Sequence, residues 1–307
     1  MKTFVGYARD AQLRHDATSG GVGSALLNYL FKSGQIETSL TFDFNPSTLR
    51  YSPRLIHRWS DYRPTGAIYQ DMDLIGYLRA HVGEIRGRFA CFCLPCQAAS
   101  LRILLKDAGQ ESILLGLVCS SQQTLAATER LLDLVKIRKD DVETLQYRGG
   151  GWPGGIRIGL KNGDTKFIKN NGSVWTDVFH SRLCMPKRCL YCQNTFNDHA
   201  DVALADPWLP EYRGRETPGF TLVVSHTPAG DRLLSAATDE CVFEAIPEEK
   251  VRQSQSRTLN RKAGYATHPW RRTVLNRIRA WKWYGRLVFS NPRWLKIHRK
   301  ILSRCEL

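Results

Sequence analysis

Cysteines at turn-like spacing mark the stretch Cys184-Met-Pro-Lys-Arg-Cys189-Leu-Tyr-Cys192, and a short apolar run, Val202 to Ala205, follows between the carboxylates Asp201 and Asp206. A Cys-x2-Cys pair such as Cys189 and Cys192 lets two thiolates point at one centre, and zinc and iron–sulfur clusters both use that spacing. Two further cysteines each follow a run that reads as a parallel strand: Cys96 comes after Arg86 to Leu94, and Cys119 after Ser112 to Val118. The helix expected between them, Ala98 to Asp107 with Gly109 as its stop, is one crossover connection. Ligands of open α/β sheets gather where parallel strands end, so two thiols far apart in sequence can converge there. Cys96, Cys119, Cys189 and Cys192 therefore form the expected metal-ligand set, with Cys184 in reserve, and either zinc or a [4Fe-4S] cluster suits four thiolates. Cys91 and Cys93 lie inside the first strand and read as apolar packing, with a Cys-x-Cys-x2-Cys ligand set as the other reading. Cys241 and Cys305 read as structural.

Two glycine-rich stretches lie ahead of the Cys-x2-Cys pair. Thr18-Ser19-Gly20-Gly21-Val-Gly-Ser24 leads into a helix with apolar residues at 22, 26, 27, 30 and 31 and Gly34 as its end. Ser19 is placed to cap that helix, while Gly20 and Gly21 would let an anion such as phosphate approach its backbone N–H groups. A plain capped helix with a tight entry is the other reading. Tyr147-Arg148-Gly-Gly-Gly-Trp152-Pro-Gly-Gly155 holds five glycines around a tryptophan. Such a sequence is costly in chain entropy and suits a loop laid against a flat ring, or a flexible loop with a docked Trp.

These motifs, with Leu94-Pro-Cys96-Gln, Gly116-Leu-Val-Cys119 and Arg148-Gly-Gly-Gly-Trp152-Pro-Gly in matching order, resemble the coenzyme F420 hydrogenase/dehydrogenase beta-subunit family across most of the chain. The resemblance implies an oxidoreductase with FAD and a [4Fe-4S] cluster, passing electrons between a hydride carrier, by kinship coenzyme F420, and a one-electron partner protein. It implies that the Ser19-Gly20-Gly21 loop lies against the flavin, that Arg148, Trp152 and Asp206 contact cofactor or substrate, and that iron rather than zinc sits on the four thiolates. Two departures stand out. The N-terminal ferredoxin-like cysteine run of many relatives is absent, which puts a second cluster in doubt, and Ala205-Asp206 replaces a frequent Gly-Asp, which points to a changed or lost substrate.

The elements that must position these residues make an α/β fold, a mixed sheet with flanking helices. Ser39 to Phe44 and Gly219 to His226 read as strands, Thr124 to Lys136 and Pro228 to Ala237 as helices, and His226 as a satisfied strand-end histidine. Asn162-Gly163 between alternating runs predicts a type I′ hairpin. The expected parts are a smaller N-terminal one, 1–83, a larger one carrying cluster and cofactor loops, 84–250, and a basic, Trp-rich helical tail, 251–307, whose first residues form a polar exit.

The chain has 307 residues, 42% of them hydrophobic, which suffices for a substantial core. It shows neither a signal-peptide core nor a run long enough to span a bilayer, so the expected location is the cytoplasm, where nine cysteines favour metal ligation over disulfides. Of the net charge of +15, ten units lie between Arg271 and Leu307, where eleven Lys or Arg accompany a single Glu. That tail holds Trp281, Trp283 and Trp294, with Trp270 just ahead of it, and folds on a helical wheel into two short amphipathic helices broken at Asn291-Pro292. Val274, Ile278 and Trp281 share one side, Leu295 and Leu302 another. Trp among cations suits peripheral contact with an anionic membrane, and it equally suits a helix pair packed on the body or on a partner protein. Basic residues confined to a terminal extension, without a binding motif, argue against nucleic acid. A non-catalytic, metal-stabilised scaffold docking through this tail is the alternative function; it leaves Ser19-Gly-Gly and Gly-Trp-Pro-Gly without a purpose.

Overall fold

The computed structural model describes residues 2–212 and 218–305. Its strands are β1 (Lys2–Ala8), β2 (Thr38–Asn45), β3 (Arg50–Ile56), β4 (Phe89–Cys93), β5 (Ser112–Leu117), β6 (Val142–Gln146), β7 (Gly155–Leu160), β8 (Thr165–Lys169), β9 (Val202–Ala205), β10 (Thr221–Ser225) and β11 (Cys241–Ala245). Eight of them form one mixed sheet in the order β11-β1-β10-β9-β5-β4-β2-β3, and β6-β7-β8 form a small antiparallel sheet. The neighbours β2, β4, β5 and β9 run parallel, and the outer strands are antiparallel. The expected α/β fold with a mixed sheet, flanking helices and a helical C-terminal end is present. Strands from residues 1–83 and from 84–250 share the large sheet.

Continuous apolar runs put β4, β5 and β9 at the centre, because a parallel strand is covered on both faces. One cover is the helix Val22–Lys32, whose Val22, Ala25, Leu26, Leu27 and Leu30 are buried against Leu115, Val202 and Val223. The other is the crossover helix Pro95–Asp107, whose Ala98, Leu101 and Leu105 share a core with Leu114, Cys91 and Cys93. Both strand cysteines are thus in the packing positions expected of them. Asp201, at the amino end of β9, accepts from Arg102 at 2.6 Å, the Leu114 N–H at 2.8 Å and the Thr227 hydroxyl at 2.7 Å, pinning that helix to the sheet.

Two local expectations are corrected. The β7–β8 hairpin forms, but Asn162 keeps an ordinary φ and only Gly163 is left-handed (φ 90°), with its N–H bonded to the Leu160 carbonyl at 2.9 Å. A type I′ turn needs both central residues left-handed, so the turn is not of that type. The tail after 268 is three helices, Pro269–Ala280, Lys282–Phe289 and Pro292–Arg304, because the chain also breaks at Trp281.

The tail is part of the body. Leu275, Leu295 and Leu302 are buried, Leu295 beside Trp175 and Val288, and Leu275 with Leu302 beside Tyr265, Met185 and Leu190. His298 Nε2 bonds the Ser181 carbonyl at 2.9 Å, and Arg299 pairs with Asp177 at 2.9 Å. The wheel chosen from Trp281 missed this, since Leu275 faces inward and Trp281 is exposed. No helix among the described residues is long and apolar enough to cross a membrane. Leu295→Ala should therefore cost the whole protein about 2–5 kcal/mol, as for a buried leucine; a denaturant titration with an unshifted midpoint would show the tail to be an independent appendage.

Candidate functional site

The carboxyl ends of three parallel neighbours meet at one edge. Cys96 lies in the first turn of the helix that follows β4, Cys119 two residues past β5, and Asp206 directly after β9. A short turn of 3-10 helix, Lys187–Leu190, delivers Cys189, and the Cys192 thiol donates to the Asn194 carbonyl at 3.3 Å. Burial pushes the Cys119 thiol up to about 12; Lys262 pulls it back, and the nearby Cys189, Cys96 and Cys192 raise it further. Burial also raises Cys189, which faces Cys96 and Cys192. The four cysteines singled out from spacing are therefore electrostatic neighbours, although among the described residues no three His, Cys, Asp or Glu close into a single-ion site. Cys184 stands apart: it is buried in the core that holds Trp175 and Val288, where burial raises its thiol to about 11.

Cations surround these thiols. Lys262 is buried, and its ammonium donates to the Asn194 carbonyl at 2.6 Å, the Cys119 carbonyl at 3.0 Å and Cys192 Sγ at 3.7 Å. Half-buried Arg261 donates to the Ser120 carbonyl at 2.6 Å. Arg182 is buried and left-handed (φ 63°), and burial, helped by Arg261, lowers its guanidinium to about 9. Burial and the charges of Arg182, Arg257, Arg261 and Arg299 hold the His180 imidazole down near 2, hence neutral. Sequence reasoning read 251–268 as a polar exit and missed this wall; the signal available was the run of Gln253, Gln255, Arg257, Arg261 and Lys262.

Beside the thiols opens a cavity of about 830 Å³, lined by Ser19, Gly21, Cys119, Arg148, Trp152 and Asp206 among others. Arg148 is buried and donates to the carboxylate of the partly exposed Asp206 at 3.1 and 3.2 Å, to the Thr18 carbonyl at 2.9 Å and to the Tyr69 hydroxyl at 3.3 Å. Burial is the largest influence on the Arg148 guanidinium and lowers it, but the charges and hydrogen bonds of Asp206 and Tyr69 together raise it above its ordinary value. The Trp152 indole N–H donates to Asp206 at 2.7 Å, and its ring tilts against Trp208 with centroids 5.3 Å apart.

Ser19 does not cap the helix Val22–Lys32. The capping position falls to Gly21, left-handed at φ 78°, so the first turn has no side-chain cap. Gly20 is fixed by close packing, since a Cβ there would lie 2.7 Å from the Gly6 carbonyl and 2.8 Å from the Thr221 nitrogen. The two glycines thus serve the backbone first, and leave the helix entry, with Ser19, Gly21, Gly23 and Ser24, on the cavity wall. His226 bonds the Phe196 carbonyl at 3.0 Å, as a strand-end histidine would.

A mixed α/β sheet with a cavity and thiols at the ends of its parallel strands defines a ligand-binding frame of the open α/β class. Residues 87–251 match the C-terminal family model of the coenzyme F420 hydrogenase/dehydrogenase beta subunit, and residues 3–63 match its N-terminal counterpart. Since the first match alone exceeds half the chain, the protein belongs to this family of electron-transferring oxidoreductase subunits. Among solved structures the fold is shared with a chain of the F420-reducing [NiFe] hydrogenase complex from Methanosarcina barkeri, at a TM-score of 0.64 and 14% identity, covering 86% of this chain and 90% of that one. No curated protein matches the sequence.

His180 gives the site a pH signature. The folded state holds the imidazole near 2, whereas an unfolded one titrates near 6.5. Below that value protons bind the unfolded chain preferentially, so stability should fall with pH by up to about 1.4 kcal/mol per unit. His180→Gln should flatten the slope between pH 6.5 and 5 in denaturant titrations; an unchanged slope would mean the imidazole is not enclosed as described.

Proposed function

We propose that this chain is an iron–sulfur flavoprotein oxidoreductase that passes electrons between a hydride carrier, coenzyme F420 being the one in the family's description, and a one-electron partner protein. FAD would occupy the cavity, and Cys96, Cys119, Cys189 and Cys192 would hold a [4Fe-4S] cluster. The observation that carries this reading is the position of Cys119, which lines the cavity and lies within electrostatic range of the other three thiols. A flavin exchanges electrons in pairs and a cluster singly, which is the conversion between the two carriers.

The residues present fit both groups. Four soft thiol donors beside cations suit an anionic cluster. The cavity volume lies within the range of small-molecule sites, about 300–1,000 Å³. The uncapped entry of the helix Val22–Lys32 offers backbone N–H groups for a phosphate, and the helix dipole favours the anion. Arg148 is committed to Asp206, so its contribution is to hold that carboxylate in place at the cavity wall. Trp152 orients the same carboxylate through its indole N–H, and Arg148 ties that wall to Thr18 and Tyr69.

Anaerobically purified protein should be brown-yellow, release flavin on denaturation, and carry about four iron and four sulfide per chain. Zinc in their place would return the protein to the metal-stabilised scaffold. Cys189→Ser or Cys192→Ser should lose the iron and destabilise the loop, because a centre bound only by the folded state contributes to folding, while Cys91→Ser should keep it. Ser19→Tyr, which fills the cavity without touching the left-handed glycine, should lower flavin content and leave iron unchanged; full flavin occupancy would place the cofactor elsewhere.

A second contact is favoured by the tail. Its buried stripe faces the body, yet Trp270, Trp281, Trp283, Trp294, Ile297 and Ile301 are about half exposed among Lys282, Arg286, Arg293, Lys296 and Lys300. We propose that this outer surface meets an anionic membrane, where indole rings sit at the interface and each cation near it adds about 1 kcal/mol. The protein should pellet with phosphatidylglycerol vesicles at low salt and be released at high salt. Trp281→Ser with Trp283→Ser and Trp294→Ser should stay in the supernatant while remaining folded; vesicle binding that survives them would rule the surface out.

A further inference from the structure

Buried charge needs compensation, and around the four cysteines it is one-sided. Arg182 is 4% exposed; its Nε and Nη1 have no protein partner, and its Nη2 hydrogen-bonds the His180 Nδ1 at 3.4 Å, a neutral partner. Lys262 is 3% exposed and bonded to two carbonyls and a sulfur, none of them a carboxylate. Arg261 buries an unpartnered Nε. None of the three forms an ion pair among the described residues. An uncompensated ion held this way costs several kcal/mol. The groups that face Arg182 and Arg261 are Tyr265, Cys189 and, for Arg261, Cys119, together with the further cation Arg257. None of these is a carboxylate.

We infer that Arg182, Arg261 and Lys262 form a cationic cup that balances the negative charge of the cysteine-held centre and raises its reduction potential, with Lys262 acting through its contact to Cys192 Sγ. This rests on the cluster reading proposed above. Four thiolates make an iron–sulfur centre anionic, and reduction adds one further negative charge, so nearby cations stabilise the reduced form more than the oxidised one. The centre is thereby set to accept an electron from the cavity side. Two of the three cations come from the helix Ser256–Thr267, beyond the matched span 87–251, so the C-terminal segment completes the electron-accepting site as well as packing on the body. Lys262 and its companions are positioning residues: they act through the sulfurs and the carbonyls that carry them.

The test is an anaerobic redox titration of the purified holoprotein, following cluster absorbance and the electron paramagnetic resonance signal of the reduced centre. Lys262→Gln can still donate to the Asn194 and Cys119 carbonyls but lacks the charge, and its midpoint should shift negative with iron content retained; Lys262→Arg should recover the wild-type midpoint. A purely structural lysine would change stability and leave the midpoint in place. Should Lys262→Gln lose its iron, Arg261→Gln, whose amide can still donate to the Ser120 carbonyl, gives the same readout and should show the same negative shift. An iron-loaded Lys262→Gln or Arg261→Gln with an unshifted midpoint overturns the cup alone. Wild-type protein that holds flavin but neither iron nor sulfide overturns the cluster reading and the cup with it.

Discussion

The ion pair of the buried Arg148 with Asp206 ties together parts of the chain that no local preference would join. A guanidinium taken out of water must be paired, and removing one member of such a pair generally costs about 3–5 kcal/mol. Meeting that requirement places the glycine-rich loop of Arg148 against the end of β9, and draws in Thr18 through its carbonyl and Tyr69 through its hydroxyl. Trp152 then fills the remaining acceptor position on Asp206. The Ser19 loop, the 148–154 loop and the central strand thus share one charge, and the cavity lies among them. Gln255 Nε2 extends the same anchorage to the C-terminal segment through the Asp206 carbonyl at 3.0 Å.

Opposite that neutral pair, the cysteine side of the cavity is electropositive. The contrast gives the two ends different chemistry within one enclosure: a fixed carboxylate with its counterion at one end, and soft sulfur donors among unpaired cations at the other. A polar or ionised group without a partner is expensive inside a protein, and among the described residues no carboxylate pairs with Arg182, Arg261 or Lys262. The tail matters for the same reason. Its helices are held by buried leucines, and this packing keeps Lys262 and Arg261 at the thiols and leaves the tryptophans outward.

Much of the site was legible because its logic is local or topological. Continuous apolar runs ending in Pro95-Cys96 and Val118-Cys119 announce parallel strands, and parallel neighbours joined by one crossover helix must end at one edge. That reasoning placed Cys96 beside Cys119, and the two-residue spacing of Cys189 and Cys192 supplied the rest. Cys91 and Cys93 were likewise readable as packing from their alternation within a strand.

Other features depended on partners that sequence order does not reveal. Ser19 has the chemistry of a cap, yet Gly20 is wedged between β1 and β10, so the helix begins two residues later and its entry stays uncapped. Leu275 rather than Trp281 turned inward because the body offered Met185 and Leu190 as a surface, which no helical wheel contains. Lys262 looked like one more solvated cation in a polar run; only the fold of 256–267 over the sheet edge brings it to Cys119 and Cys192. Periodicity and spacing determined the two central strands before Cys96 and Cys119, the crossover helix between them and the β7–β8 hairpin, since those follow from the chain's own geometry. Tertiary structure alone decided which charges are buried, because burial depends on what packs from elsewhere in the chain.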